Sequence, residues 1–306
     1  MGRERQLAWV ESPLQLLAAA EFAEAQGRAI DVAFRLSGPQ MPATAQVLLD
    51  SGALFSSCTP YYGIPWKQLA ERRAWVIGDG LSGQFHLAMS TIGARSVTFL
   101  DDGIMTIHLA RALAGSAPFA RPGQAVSRRR TLLASLTRER LHAASARESL
   151  GLFTAFGDHP AIRELAGHGV ALADNGFGWL RSHGRPITLP SRRVVLGAAV
   201  VADRTSDAER YLDWVRSVAG SSADTTGPNV AYLPHRREPE AVLARIAELP
   251  GVTLIRTGLP VELALAGTAE PLDIVSLRST AAVTLRIVLA GTGSTIRTNE
   301  FAESVR

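Results

Sequence analysis

The sequence predicts an α/β protein made of two parallel-sheet domains facing a cleft, and three observations carry that prediction. Short β-branched or apolar runs alternate with helix-period segments through the first half of the chain. The same alternation restarts near Arg192 after an arginine-rich interruption. With 306 residues, the chain exceeds one ordinary domain and has length for two.

In order, strands are expected over 7–10, 30–35, 74–77 and 97–100, because each is a compact apolar run with turn residues around it. Amphipathic stretches over 14–25 and 43–51 fall between them as helices. Around 118–148 the character changes: arginines accumulate, including Arg128, Arg129 and Arg130 in a row, with no aromatic residue between Arg121 and Arg147. Without stacking groups this reads poorly as a single-stranded nucleic-acid surface. A mobile basic excursion over an anionic acceptor or lipid headgroups fits better, with a solvated helical hairpin as the plain alternative. The second half gives strands over 194–201, 229–233, 252–256 and 274–276, with helices over 206–218 and 239–249 and a further one opening over 261–265. Residues 284–289 continue the pattern. The expected domains are 1–190 and 191–306, both Rossmann-like.

Composition narrows the classes. Apolar residues make up 46% and charged residues 20%, as in a globular protein with ample core. The chain is basic, formally +4 with a pI near 9.8, and Lys67 is its only lysine, so arginine carries the excess. That balance favours anionic partners. Cys58 stands alone, which leaves no intramolecular disulfide and no thiolate metal site. Glu11 and Gln15 interrupt the first apolar run, against a secretory leader, and no stretch has about 18 uninterrupted apolar residues. A cytoplasmic protein is expected, with peripheral contact at the inner face of an anionic membrane as the variant.

The chemistry is expected where strands end, since ligands of open α/β sheets bind beyond the carboxyl ends of the strands. The run over 96–100 leads directly into Asp101-Asp102-Gly103. Taken alone this is a common turn. Two adjacent acids in a crevice, however, cannot both ionise freely, so one is pushed toward general-base range. Strand 229–233 delivers His235, followed by Arg236 and Arg237, a set suited to a phosphate. Ser276, Ser279 and Thr280 precede a helix, whose capped, amide-rich start is also an anion site. Gly258-Leu259-Pro260 lets a base approach the backbone, and Glu262 is placed to hold ribose hydroxyls. Glu11-Ser12-Pro13-Leu14-Gln15 and Gly78-Asp79-Gly80 are strand-to-helix loops turned to the same crevice. His86, His108, His142, His159, His168 and His183 are scattered and read as structural or surface residues.

Together, in this order, these segments resemble bacterial GT-B sialyltransferases: the lipooligosaccharide sialyltransferases of glycosyltransferase family 52 and the related bacterial polysialyltransferases. The likeness rests on Glu11-Ser12-Pro13-Leu14-Gln15, Asp101-Asp102-Gly103, Phe153-Thr154-Ala155-Phe156, Val195-Leu196-Gly197 and Ser279-Thr280. It departs from the family at Arg236, where proline follows the histidine. The resemblance implies a GT-B fold and an inverting transfer of a nonulosonic acid from a CMP-activated donor to a glycan hydroxyl. It implies no metal or other cofactor. Asp101 or Asp102 would take the acceptor proton, the first acid being the favoured base and the second its tuner. His235, Ser279 and Thr280 would hold the CMP phosphate, with Ser276 beside them. Glu262 would hold the ribose and Gly258 to Pro260 the cytosine. Implied partners are the CMP donor and a glycan acceptor, including acidic ones, and not nucleic acid. The competing expectations are a transferase using CMP-Kdo, a UDP sugar or a GDP sugar, and a non-catalytic protein binding anionic glycan or nucleic acid.

Overall fold

The structure, a computed structural model, describes residues 5–123, 127–220 and 230–300. It divides into two compact units, Met1–Trp179 and Leu180–Arg306, each built on a wholly parallel sheet. The expected α/β class with two Rossmann-like domains holds at that level. The boundary lies at 179/180 rather than 190/191, because the intervening segment packs on the second unit. There Arg181 donates to the Ala290 carbonyl at 3.1 Å and the Ile187 N–H to the Ala264 carbonyl at 2.9 Å.

In the first unit the strands are β1 (Gln6–Val10), β2 (Ile30–Arg35), β3 (Phe55–Tyr61), β4 (Ala74–Ile77), β5 (Ser96–Phe99), β6 (Leu150–Thr154) and β7 (Ala171–Asp174), in the order β3-β2-β1-β4-β5-β6-β7. The helices are α1 (Pro13–Ala25), α2 (Gln40–Asp50), α3 (Trp66–Glu71), α4 (Gly83–Thr91), α5 (Ile104–Leu113), α6 (Arg128–Ser145), α7 (Pro160–Ala166) and α8 (Gly178–His183), the last spanning the boundary. A parallel sheet is covered on both faces, so its central strands read as continuous apolar runs. Accordingly, Leu7 to Val10 and Ala74 to Ile77 are all buried. The first helix has apolar residues on every side, as a buried helix should. Ser12 caps it by accepting the Gln15 N–H at 3.3 Å, and Pro13 fills its first turn, where no amide partner is lost.

Three strands of this sheet escape the apolar-run criterion. The edge strand β3 alternates exposed Ser, Thr and Pro and buries only Tyr61 fully. On the other side, β7 is exposed at every position and β6 carries Gly151 at its second position. The strand expected over 97–100 is Ser96–Phe99; Leu100 then turns its N–H to the Ile77 carbonyl at 2.9 Å. The basic excursion is largely the 18-residue helix α6, docked on α4 through Thr137, whose hydroxyl donates to the His86 carbonyl at 3.2 Å. Arg140 also donates to the Met89 carbonyl.

The second unit contains β8 (Arg193–Leu196), α9 (Ala208–Gly220), β9 (Val230–Leu233), α10 (Glu240–Ala247), β10 (Val252–Leu254), α11 (Val261–Leu265), β11 (Asp273–Leu277), α12 (Thr280–Val288) and β12 (Thr295–Asn299), with strand order β10-β9-β8-β11-β12. Its core gathers Val195, Tyr211, Val215, Val230, Tyr232, Ile246 and Val275. The strand expected over 194–201 stops at Leu196, because the Ala198 N–H leaves the ladder for the Tyr211 hydroxyl at 2.9 Å. Residues 284–289 belong to the α12 end of the chain, and residue 229 of the expected strand 229–233 lies outside the described residues.

In both sheets the strand order reverses once, between β1 and β4 and again between β8 and β11. At such a point neighbouring loops diverge and leave a crevice at the strands' carboxyl ends. In the first sheet Gly103 shapes the nearby turn after β5, with φ 64° and ψ −134°, a region that side chains avoid. Gly103→Ala is expected to cost about 1–3 kcal/mol. A urea titration reads this as a lowered midpoint with an unchanged slope; an unaltered midpoint would refute the requirement.

Candidate active site

At the reversal point of the first sheet, three strand-end segments and one that follows a helix converge. Glu11 and Gln15 follow β1, Asp79 follows β4, Asp101 and Asp102 follow β5, and Arg121 follows α5. Gln15 is buried and joins two of them: its Oε1 accepts the Glu11 N–H at 2.7 Å and its Nε2 donates to Asp102 Oδ1 at 2.6 Å. Gly78 is needed for this, since a Cβ there would stand 2.3 Å from Gln15 Oε1. Arg121 Nη2 donates to Asp79 Oδ2 at 2.5 Å and approaches Asp102 Oδ2 at 3.5 Å. Arg35 donates to Glu11 Oε2 at 2.8 Å. Three carboxylates thus share two guanidinium groups and one amide.

The two adjacent aspartates have different surroundings. Asp101 is 0% exposed; it accepts from the Thr154 hydroxyl at 2.5 Å, the Ala155 N–H at 2.8 Å and Asn175 Nδ2 at 3.4 Å. Burial pushes its carboxyl up to about 6, against the pull of those three donors. Its oxygens tie β5 to the ends of β6 and β7, so Asp101, expected as the base, presents no exposed surface. Asp102 keeps 19% of its side chain exposed. Burial, and then the charge of Asp79, push it up to about 7, while Gln15 and Arg121 oppose and Glu11 adds to the rise. The accessible carboxyl with a near-neutral midpoint is the second acid.

In the second unit the expected residues lie at the carboxyl ends of four neighbouring strands: Gly258 and Pro260 after β10, His235 after β9, Gly197 after β8, and Ser279 and Thr280 after β11. A buried relay locks two of these loops together. The Ala198 N–H donates to the Tyr211 hydroxyl, which lies 2.7 Å from the Tyr232 hydroxyl. Tyr232 donates to Glu238 Oε1 at 2.5 Å, and Glu238 Oε2 accepts the His235 N–H at 2.6 Å. The Tyr211 hydroxyl also hydrogen-bonds Glu238, so both tyrosines converge on the buried carboxylate.

Three of the expected residues have distinct surroundings. His235 Nδ1 accepts the Arg237 N–H at 3.2 Å, and burial, then Arg237 and Arg236, lower the imidazole to about 4. His235 is thus a neutral ring with its proton on Nε2. Glu262 is only 4% exposed and accepts the Thr284 hydroxyl at 2.6 Å, so its carboxylate braces α11 against α12 and faces no ribose. Ser276 is buried too; its hydroxyl donates to the Leu277 carbonyl at 2.6 Å and meets Ser279 Oγ at 3.2 Å, positioning the cap rather than touching a ligand. Ser279 caps α12 through the Ala282 N–H at 3.3 Å, and Gly258, with φ 66°, has open space beside its Cα.

The Tyr211–Tyr232–Glu238 relay, Thr154, Asn175 and Thr284 were not legible as site residues. Their signal is spatial, except that Glu238 stands three residues beyond His235. Among the described residues, no group of three His, Cys, Asp or Glu side chains is placed to hold a metal ion, and no helix is long and apolar enough to cross a membrane. No family model matches the chain, and no curated protein matches it.

Two outcomes follow from these contacts. In a carboxyl-resolved NMR titration, Asp79→Asn is expected to lower the Asp102 midpoint by about one pH unit, and Arg121→Gln to raise it by a similar amount. Because Asp102 is raised in the native state, its contribution to stability is full below about pH 4 and is lost as the pH rises through 7. A midpoint indifferent to both changes would remove the cluster from the account. In the second unit a Cβ on Gly197 would stand 2.0 Å from Glu238 Oε2 and 2.6 Å from the His235 nitrogen. Gly197→Ala should therefore cost about 3 kcal/mol in thermal or urea unfolding, combining overpacking with a disturbed buried carboxylate.

Proposed function

We propose that this chain is an inverting glycosyltransferase of the GT-B plan. On this reading it moves a nonulosonic acid from a CMP-activated donor to a hydroxyl of a glycan acceptor. The observation that carries the reading is Asp102: an accessible carboxyl, with a midpoint near 7, at the reversal point of a parallel sheet. A base of that strength is half ionised at neutral pH and can still accept a proton from an alcohol as its oxygen commits to a new bond.

In the step itself, the acceptor oxygen attacks the anomeric carbon and its proton passes to Asp102. The bond from that carbon to the phosphate oxygen breaks on the opposite side, and CMP leaves with the electron pair, so the configuration inverts. The second unit's part is to bind the nucleotide and stabilise its departing phosphate. His235 Nε2 is a neutral donor for a phosphate oxygen, and the arriving dianion favours its protonation. The amides at the start of α12, with Ser279 and Thr280, supply further donors. The open Gly258 to Pro260 backbone is the surface offered to the base. Asp101, Ser276 and Glu262 act through their neighbours by holding these groups in place.

A thermal-shift titration with CMP, UMP, GMP and ADP tests the donor. CMP alone should raise the melting temperature, by the equivalent of about 2.7 kcal/mol at a hundred times its Kd. His235→Ala should abolish or weaken that shift. Asp102→Asn should keep it while transfer from a CMP-nonulosonic acid falls by at least about a hundredfold. A shift from UMP or GMP instead would sink the CMP donor, and silence from every nucleotide would sink the transferase.

A further inference from the structure

The first two turns of α6 present an outward surface that the site does not use. Arg128, Leu132 and Leu136 follow one another at four-residue steps and so share one face. Thr137, Leu141 and Ala144, the buried residues of the helix, form the opposite face against the core. Leu132 is 61% exposed and Leu136 40%. Arg129 lies three residues before Leu132 and seven before Leu136, and flanks the same face.

The charges here are uncompensated. Among the described residues, Arg128, Arg129 and Arg130 are all exposed and take part in no ion pair. Several exposed arginines of the second unit are paired: Arg192 with Glu270, Arg237 with Asp203, Arg245 with Glu209 and Arg297 with Asp273. Over its length α6 holds five arginines against one acid, Glu139, which lies on the outward face a turn beyond Leu136.

We propose that the outward face of α6, formed by Arg128, Arg129, Leu132 and Leu136, docks the protein on an anionic lipid bilayer. Free arginines beside outward leucines are the two groups an interfacial helix uses, one for headgroup phosphates and one for the acyl boundary. A soluble polyanion would account for the arginines and leave the leucines in water. A second copy of this basic chain would bring like charge to the same face. The inference stands apart from the proposed reaction, since it depends on no donor or acceptor.

Co-sedimentation with vesicles tests it directly. The full chain should bind vesicles of equimolar phosphatidylcholine and phosphatidylglycerol, should ignore vesicles of phosphatidylcholine alone, and should lose binding as salt rises. Replacing Arg128 and Arg129 together by glutamine should lower the partition coefficient about thirtyfold. Leu132→Gln with Leu136→Gln should lower it about tenfold or more, because these side chains supply the inserted apolar area. Both variants should keep the native melting temperature, the altered side chains being exposed, and retain whatever nucleotide response the native chain has. Absence of binding to the anionic vesicles overturns the proposal. So does binding that the leucine pair leaves unchanged, which would mark the helix as a surface for soluble polyanions such as heparin.

Discussion

Mutual repulsion among Glu11, Asp79 and Asp102 is the constraint on which the first unit's site depends. Strands β1, β4 and β5 are neighbours, and each ends in a loop that places a carboxylate near the others. Bringing such charges together out of bulk water is unfavourable unless donors are built around them. The structure supplies Arg35, Arg121 and the Gln15 amide, and it leaves Asp102 the least compensated, with Arg121 at 3.5 Å where Asp79 has it at 2.5 Å. Burial first, and then the charge of Asp79 left only partly offset by Gln15 and Arg121, push Asp102 up to about 7. Full compensation would have produced an inert, permanently charged carboxylate.

The second unit meets the same problem with a different solution. Glu238 is buried beside His235, and burial raises its carboxyl even though Tyr232 and the His235 N–H hold it. No guanidinium compensates this carboxylate directly; two tyrosine hydroxyls and two backbone amides form the line that ends on it. Hydroxyls and amides fix direction as well as distance, so the line also fixes where β8 stops and how the loop after β9 turns. Gly197 is the point at which these demands meet, since a single added carbon would occupy the space of the carboxylate.

Legibility in the sequence followed the physics of each element. Strands β1, β2 and β4 read well because parallel, doubly covered strands are unbroken apolar runs. Strands β3 and β7 did not, since edge positions carry polar side chains that resemble loops. The residues singled out in the sequence, Asp101, Asp102, His235, Ser279 and Gly258, do lie in loops after strand ends. Their different surroundings were not legible, because burial is not visible in a dipeptide. Asp101 and Asp102 have identical chemistry and adjacent positions, yet alternate to opposite environments. Glu262 and Ser276 show the same limit: a polar residue after a strand can face outward or the scaffold, and here Thr284 and Ser279 hold these two inward.

That alternation is also why the pair of acids belongs together. An extended backbone sends successive side chains to opposite sides. With Asp101 turned inward, its three donors anchor β5 to the ends of β6 and β7; with Gly103 following in a conformation open to glycine, the chain reverses at once into α5. Asp102 is therefore held between a fixed residue and a fixed turn. Its own N–H is bound by the Thr106 hydroxyl at 2.8 Å, and Gln15 grips one of its oxygens from another strand. Reach and orientation of the second carboxylate are set by the first one's burial and by the turn at Gly103.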